Sequence, residues 1–220
     1  MKNKKTLVFF FSSIIIFITL TGLLYGIHLL NNTNKKQSYG IEERLLQFKL
    51  IIEKELEKYN LSDKTTTLLG IMYQESRGEG TDPMQSSESL ELKRNEIQDV
   101  NLSIEQGVKH FAQMYQYGIE KDVGMDTIIQ SYNMGPKYID FIASQQIKKH
   151  SEKLAKEFSK MKVDQNPDLY TCGDNKKNFR YPYCYGDFTY ATKVKEKTKL
   201  IEDFLQKKSW HMILINNKFK

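Results

Sequence analysis

An uncharged run from Thr6 to Leu30, rich in Phe, Ile and Leu, constrains this chain more than any other feature. Roughly 20 helical residues cross a hydrocarbon core, and the run is longer than that. It also exceeds the roughly 7–15-residue core of a cleaved signal peptide, and no clear small-x-small cleavage site comes after it. A bilayer offers backbone groups no hydrogen-bond partner, so a segment inside it must be helical. The expectation is one transmembrane helix over residues 6–30, an uncleaved signal anchor. Lys2, Lys4 and Lys5 precede it, and a short basic amino terminus stays in the cytoplasm. Residues 1–5 are then a cytoplasmic amino terminus. Residues 31–40, drawn from Asn, Thr, Lys, Gln, Ser and Gly, read as a polar tether, and the rest of the chain faces the cell exterior.

Beyond the tether, the 220-residue chain has enough length left for one soluble domain of ordinary size. An apolar share of 40% with 27% charged residues is a globular balance, so a real core is expected. The net charge of +6 comes from lysine far more than arginine. Lysine lacks the planar fork that reads phosphates and bases, and no zinc-finger, RRM-like or helix-turn-helix pattern accompanies it. Nucleic acid is therefore not the expected partner. A basic outer-surface protein is drawn to an anionic wall or lipid headgroups, while many of its lysines simply solvate helix faces. Cys172 and Cys184 are the only cysteines, in a stretch full of Tyr, Asn, Gly and Pro. In an oxidising compartment they could pair, and two free or buried thiols is the alternative. No His or Cys lies nearby at ligand spacing, so neither a metal nor a cofactor is expected.

Hydrophobic periodicity is helical throughout. Leu45, Phe48, Ile52 and Leu56 form one apolar stripe, and Asn60-Leu61-Ser62-Asp63 is a break with N-cap chemistry. A second helix runs to about Arg77, with Gly78 and Gly80 expected to stop it. Thr81 to Leu90 reads as a loop. Ser103 and Gln106 have the spacing of a capping box, which predicts that a helix opens at Ser103. Further helices are expected from Asp126 to about Asn133, from Tyr138, from Ser151 to Met161 and from Thr189 to Gln206. With period-two alternation scarce, the domain is expected to be mainly α.

Glu75 is where chemistry enters. Leu68, Ile71, Met72 and Glu75 share one helix face, so an acid continues an apolar stripe. Burial disfavours an ionised carboxylate and helps it keep a proton, as a general acid must near neutral pH. The negative end of the helix dipole acts in the same direction. The bland alternative is a helix-end glutamate that turns to solvent or pairs with Arg77 or a lysine.

The run Gln74-Glu75-Ser76-Arg77-Gly78-Glu79-Gly80-Thr81-Asp82-Pro83-Met84-Gln85-Ser86-Ser87-Glu88-Ser89 resembles a family signature. It is similar to the lysozyme-like domain of Gram-positive cell-wall muramidases, the group of CwlT-type amino-terminal domains and pneumococcal vaccine antigen A proteins. A more distant likeness is to goose-type lysozymes and soluble lytic transglycosylases. Ser103 to Val108, Gln130-Ser131-Tyr132-Asn133-Met134-Gly135 and Tyr185-Gly186-Asp187-Phe188-Thr189-Tyr190-Ala191 resemble three further stretches of that domain, in the same order. The likeness spans about Ile41 to Thr198.

The resemblance implies a lysozyme-like fold over residues 41–208 that cuts the MurNAc–GlcNAc β-1,4 bond of peptidoglycan glycan strands. Glu75 matches the catalytic acid and Ser76 the serine that supports its loop. Gln85 and Ser86 match cleft positions, Tyr132, Asn133 and Tyr190 sugar-contacting positions. Asp82 matches an aspartate that supports the loop or a water. Residues 209–220 lie beyond the likeness; Trp210, Ile213 and Ile215 there could pack on the domain or touch a partner.

Two mechanisms stay open. An inverting muramidase holds a water with a second carboxylate about 6.5–9.5 Å from the acid, and Asp82 ranks ahead of Glu79 and Glu88 for it. In a lytic transglycosylase the muramic 6-hydroxyl attacks instead, leaving 1,6-anhydro ends. A Cys/His peptidase needs a positioned His. His211 lies near the chain end, and His110 and His150 are expected on charged helices. A non-catalytic glycan-binding scaffold of an envelope machine is the rival class, and an anchored wall hydrolase also suits a conjugation or secretion apparatus.

Overall fold

The computed structural model describes residues 19–27, 40–93 and 95–218. Met1–Glu43 and Arg44–Lys220 are separate compact units. In the first, residues 19–27 are helical. The expected amino terminus at 1–5, most of the expected anchor at 6–30 and nearly all of the tether at 31–40 lie outside the described residues. Among the described residues no helix is long and apolar enough to cross a membrane.

The second unit is all helix and loop among the described residues. Its α-helices are α1 (Lys49–Glu57), α2 (Thr65–Ser76), α3 (Val100–Glu120), α4 (Met125–Met134), α5 (Pro136–Ala143), α6 (Glu152–Gln165) and α7 (Tyr190–Lys218). The stripe predicted from Leu45 onward is interrupted by a turn at 47–48 before α1, which buries Ile52 and Leu56. The break at Asn60–Asp63 becomes a short 3-10 turn, Ser62–Lys64, and the Thr65 hydroxyl donates to the Ser62 carbonyl at 2.7 Å.

Helix α2 lies at the centre. Leu68, Leu69, Gly70, Ile71, Met72 and Tyr73 are all buried, so the helix is covered on more than one side. Its main partner is α7, which buries Tyr190, Ala191, Val194 and Ile201. The two cross antiparallel: the Thr66 hydroxyl reaches Glu202 at 3.4 Å, and at the other end Glu75 meets Tyr190. Between these points Gly70 lets the backbones approach. A Cβ there would lie 3.1 Å from both the Val194 carbonyl oxygen and the Thr198 nitrogen, and would overlap the Thr198 hydroxyl. Helices α3 and α4 pack on each other, and α4 packs also on α5 and α7.

A second cluster of rings joins α5, α6 and the segment after α6. Phe158 lies 5.3 Å from both Tyr138 and Phe141, and 5.8 Å from Tyr185, centroid to centroid. Such aromatic contacts add about 0.5–1.5 kcal/mol each beyond area burial. The segment between α6 and α7 holds a single 3-10 turn and is stapled by a Cys172–Cys184 disulfide, Cα atoms 5.2 Å apart.

Three expectations require correction. Helix α3 opens at Val100, not Ser103: the Asp99 side chain accepts from the Asn101 amide at 2.8 Å, and Ser103 is buried inside the helix. His150 lies in the loop before α6, sharing a hydrogen bond of 2.8 Å with the Tyr138 hydroxyl. The last helix does not end near Gln206 but continues to Lys218.

Replacing Gly70 with Leu should force α2 and α7 apart and cost about 1–3 kcal/mol, read from the urea midpoint. Gly70→Ala should cost less, and Thr198→Ala in the same chain should recover part of that loss, a coupling that a double-mutant cycle measures.

Candidate active site

Glu75 sits in the last turn of α2, half-buried, where Leu68, Ile71 and Met72 of the same face are fully buried. The helix ends one residue earlier than glycine would have ended it. Arg77 itself enters the left-handed region (φ 59°) and donates its amide to the Tyr73 carbonyl at 3.1 Å; Gly78 comes next at φ 71°. Ser76 then ties the returning loop. Its hydroxyl donates to the Pro83 carbonyl at 2.7 Å and accepts from the Gly78 amide at 3.0 Å. Outside, Arg44 pairs with Glu79.

The loop folds around Asp82, which is 3% exposed. Oδ1 accepts from the Ser86 amide at 3.0 Å and the Ser103 hydroxyl at 2.7 Å. Oδ2 accepts from the Ser87 amide at 3.2 Å and the Ser87 hydroxyl at 2.6 Å. Burial pushes this carboxyl up, but the serine hydroxyls and amides together outweigh it and hold the group below its ordinary value of 3.8. Ser103 also accepts from the Met84 amide at 3.1 Å, so a residue inside α3 fastens the loop to that helix. The Ser86 hydroxyl is taken up by the Ser103 carbonyl at 2.9 Å. Gln85, at φ 49°, donates its side-chain amide to the Asp82 carbonyl at 3.0 Å and to Asn95 at 2.5 Å.

Segments distant in sequence meet around Glu75. The Tyr190 hydroxyl, at the start of α7, donates to Glu75 Oε1 at 2.5 Å. Burial first, and then the charge of Glu75 and the Tyr132 phenol, raise Tyr190 well above the usual tyrosine value, so it stays a donor. Tyr132 of α4 lies parallel to the Tyr190 ring, centroids 6.4 Å apart, and donates its hydroxyl to the Met84 carbonyl at 3.1 Å. Burial, then Glu75, then Asp82 raise its own pKa.

The approach to Tyr190 is built by its own segment. The Asp187 carboxylate accepts from the Thr189 amide and hydroxyl at 2.9 and 2.6 Å and pairs with Lys193 at 2.6 Å. Its amide donates to the Asn133 side chain at 2.6 Å. A Cβ on Gly186 (φ 63°) would lie 2.8 Å from both Asn133 Oδ1 and Met134 Cγ, so only glycine admits this seating. Buried Gln130 completes it, donating to the Asp187 carbonyl at 2.7 Å and accepting from the Ala191 amide at 3.1 Å.

Beside these groups lies a cleft of about 360 Å³, lined by Gln85, Ser86, Glu88, Ser89, His110, Gln113, Tyr132, Asn133 and Gly135. His110 lies on a helix, α3, as expected, and is half-buried in this wall. Its Nε2 meets the Tyr132 carbonyl at 3.0 Å, and its ring stands edge-on to the Tyr132 ring at 4.8 Å. Burial lowers its pKa against a smaller push from that bond, leaving it neutral at pH 7, with Nε2 carrying the proton given to the carbonyl. Among the described residues no group of three or more His, Cys, Asp or Glu could hold a metal ion.

The sequence reading missed Ser87, Ser103, Gln130, Asp187 and His110. Ser103 and Gln130 carried the signal used for Glu75: each is a polar residue on a buried helix face, with Gly107 and Phe111 beyond Ser103, and Thr127 and Met134 flanking Gln130. The others are turn or wall residues without that helical signal.

A model of the lysozyme-like family matches residues 42–198. The chain belongs to the lysozyme-like family. That family is one of peptidoglycan hydrolases. The chain is 63% identical over 164 residues to a protein named uncharacterized membrane protein YocA, from Bacillus subtilis, covering 74% of this chain and 72% of that one. It is 33% identical over 129 residues to the bifunctional muramidase/DL-endopeptidase CwlT of Bacillus subtilis, covering 58% of this chain but only 37% of CwlT. In structure this lysozyme-like chain is similar to a lipoprotein-like NLP/P60 family protein from Staphylococcus aureus, with a TM-score of 0.60 and 32% identity. The match covers 71% of this chain and 52% of that one.

Asp82→Asn replaces an acceptor with a donor opposite donating serines and should cost about 2–3 kcal/mol, measured by denaturant unfolding near pH 7. Because the folded value of Asp82 is lowered, its contribution is fully present above the ordinary value of 3.8 and is lost as pH falls through the lower folded value. The gap between wild type and Asp82→Asn should therefore hold from neutral pH down to about pH 4 and narrow only below it.

Proposed function

We propose that this chain is a peptidoglycan glycan-strand hydrolase of the muramidase class, with Glu75 as general acid. The observation that carries the reading is the Tyr190–Glu75 hydrogen bond of 2.5 Å, which joins the motifs at 74–89 and 185–191 at one carboxyl, with Tyr132 of the 130–135 motif parallel to the Tyr190 ring. Glu75 donates its proton to the glycosidic oxygen as the bond from the anomeric carbon of MurNAc breaks. A water held by a second carboxylate then attacks that carbon and gives that carboxylate its proton, and Glu75 regains one from solvent. Tyr190 acts as a positioning residue: its hydroxyl holds one carboxyl oxygen and fixes the rotamer that presents the acid. Tyr132 and Asn133 shape the cleft wall where sugar rings bind, with Gln85 and Ser86 at its loop side and Ser76 supporting that loop.

Asp82 is assigned to the loop, not to the reaction. Four donors occupy its two oxygens and the residue is buried, so it has no face to offer a water. Glu88, exposed and lining the cleft, is the carboxylate better placed by exposure to serve as a base. This arrangement of Asp82 also favours a second reading. With no base from the loop aspartate, the 6-hydroxyl of MurNAc takes the anomeric carbon and Glu75 serves as acid and then base, as in a lytic transglycosylase. Localisation at the cell membrane, with the domain on the extracytoplasmic side facing the cell wall, is part of the proposal, and the membrane-protein name of the 63% identical relative supports it.

Glu75→Gln should fold as wild type and release no muropeptides from purified wall; digestion at the wild-type rate would show that another group is the acid. Mass spectrometry of products separates the two readings, with reducing ends for hydrolysis and 1,6-anhydro ends for transglycosylation. Tyr190→Phe should lower kcat about tenfold, as loss of one positioning hydrogen bond implies, with KM little changed.

A further inference from the structure

The end of α7 takes no part in the site described above. Ile201 is the last fully buried residue among the side chains described on this helix, yet the helix runs unbroken to Lys218. At 1.5 Å per residue that is about 25 Å of helix beyond Ile201. Trp210, within this extension, is 60% exposed.

The sequence of the extension changes character along its length. From Phe204 to Lys220 there is no acidic residue, and Lys207, Lys208, Lys218 and Lys220 bracket the uncharged run Trp210-His211-Met212-Ile213-Leu214-Ile215. A groove on a protein partner takes one apolar stripe of a helix, at spacings of three and four. Four consecutive apolar positions, Met212 to Ile215, do not keep to that spacing. An apolar helix end flanked by lysines instead fits a lipid surface: the apolar residues enter the acyl boundary, lysine stems extend their charges to anionic headgroups, and tryptophan prefers the interface.

We propose that the helix end from Lys207 to Lys218 docks this domain on an anionic lipid surface. The docking is separate from glycan cleavage, since none of these residues belongs to the site around Glu75. Its effect is to hold the cleft at a set height above the bilayer and confine cutting to the wall nearest the membrane.

Trp210 is the only tryptophan of the chain, so its emission reads this segment alone. The full chain is reconstituted into phosphatidylcholine vesicles with and without phosphatidylglycerol, each also prepared with brominated acyl chains as quencher. The expected result is a blue-shifted Trp210 emission, strongly quenched with phosphatidylglycerol and much less without it. Lys207→Glu with Lys208→Glu should remove that lipid preference, and Ile213→Asp with Ile215→Asp should remove the quenching. Muropeptide release from purified wall by these variants should match the parent chain, which separates this test from the assignment of Glu75. Emission that stays at the solvent-exposed wavelength and unquenched with phosphatidylglycerol overturns the proposal. Equal quenching in both lipids, unmoved by the lysine changes, overturns it too. So does a blue shift that grows with protein concentration in lipid-free detergent and ignores added lipid, which would make a second copy the partner.

Discussion

The close antiparallel crossing of α2 and α7 at Gly70 is the constraint on which the rest of the structure depends. Because no side chain separates the backbones there, the two helices run in contact from the Thr66–Glu202 end to the Glu75–Tyr190 end. The acid lies in the last turn of one helix and the tyrosine in the first turn of the other. A shift of a few tenths of an ångström at Gly70 is carried along rigid helices to a hydrogen bond that tolerates little of it. Fold and site are thus joined through the packing of these two helices in the middle of the core.

Two carboxyl groups seven residues apart live in opposite surroundings. Asp82 is enclosed by serine hydroxyls and amides, so its charge is stabilised where it stands and the loop is organised around it. Taking a charge out of water is costly, and several hydrogen bonds to both oxygens offset that cost. Glu75 is half-buried at the edge of an apolar core and is met by a phenol. Environment, rather than residue type, separates a structural anion from a candidate acid.

The loop between them and the segment before α7 solve the same problem in different ways. The loop has an aspartate at its centre and is fastened to α3 through Ser103. The segment before α7 has a disulfide at one end and Asp187 at the other, and it is seated on α4 through Gln130 and Asn133. Irregular backbone needs such partners, because its polar groups have no ladder of their own. Both anchor points lie on helices that also bury core side chains.

Much of this was legible in the chain itself. The helical periods of α1 to α7, the apolar face that ends in Glu75, and the motif segments at 74–89, 130–135 and 185–191 are local patterns of spacing and residue type, which a linear reading can see. Other groups have partners that the linear reading did not give them. Ser103 has cap spacing, but tertiary burial makes it a bridge to Asp82; Arg77 takes the left-handed position that composition assigned to glycine; Asp82, ranked as a base, has its oxygens filled from Ser86, Ser87 and Ser103. Sequence alone determined that the domain is helical and which acid stands on an apolar face, because those depend on neighbours three or four positions away. Only the tertiary structure decided that Tyr190 meets Glu75 across 115 residues and that Asp82 faces inward, because those contacts come from helix crossings and loop seating that no local spacing encodes.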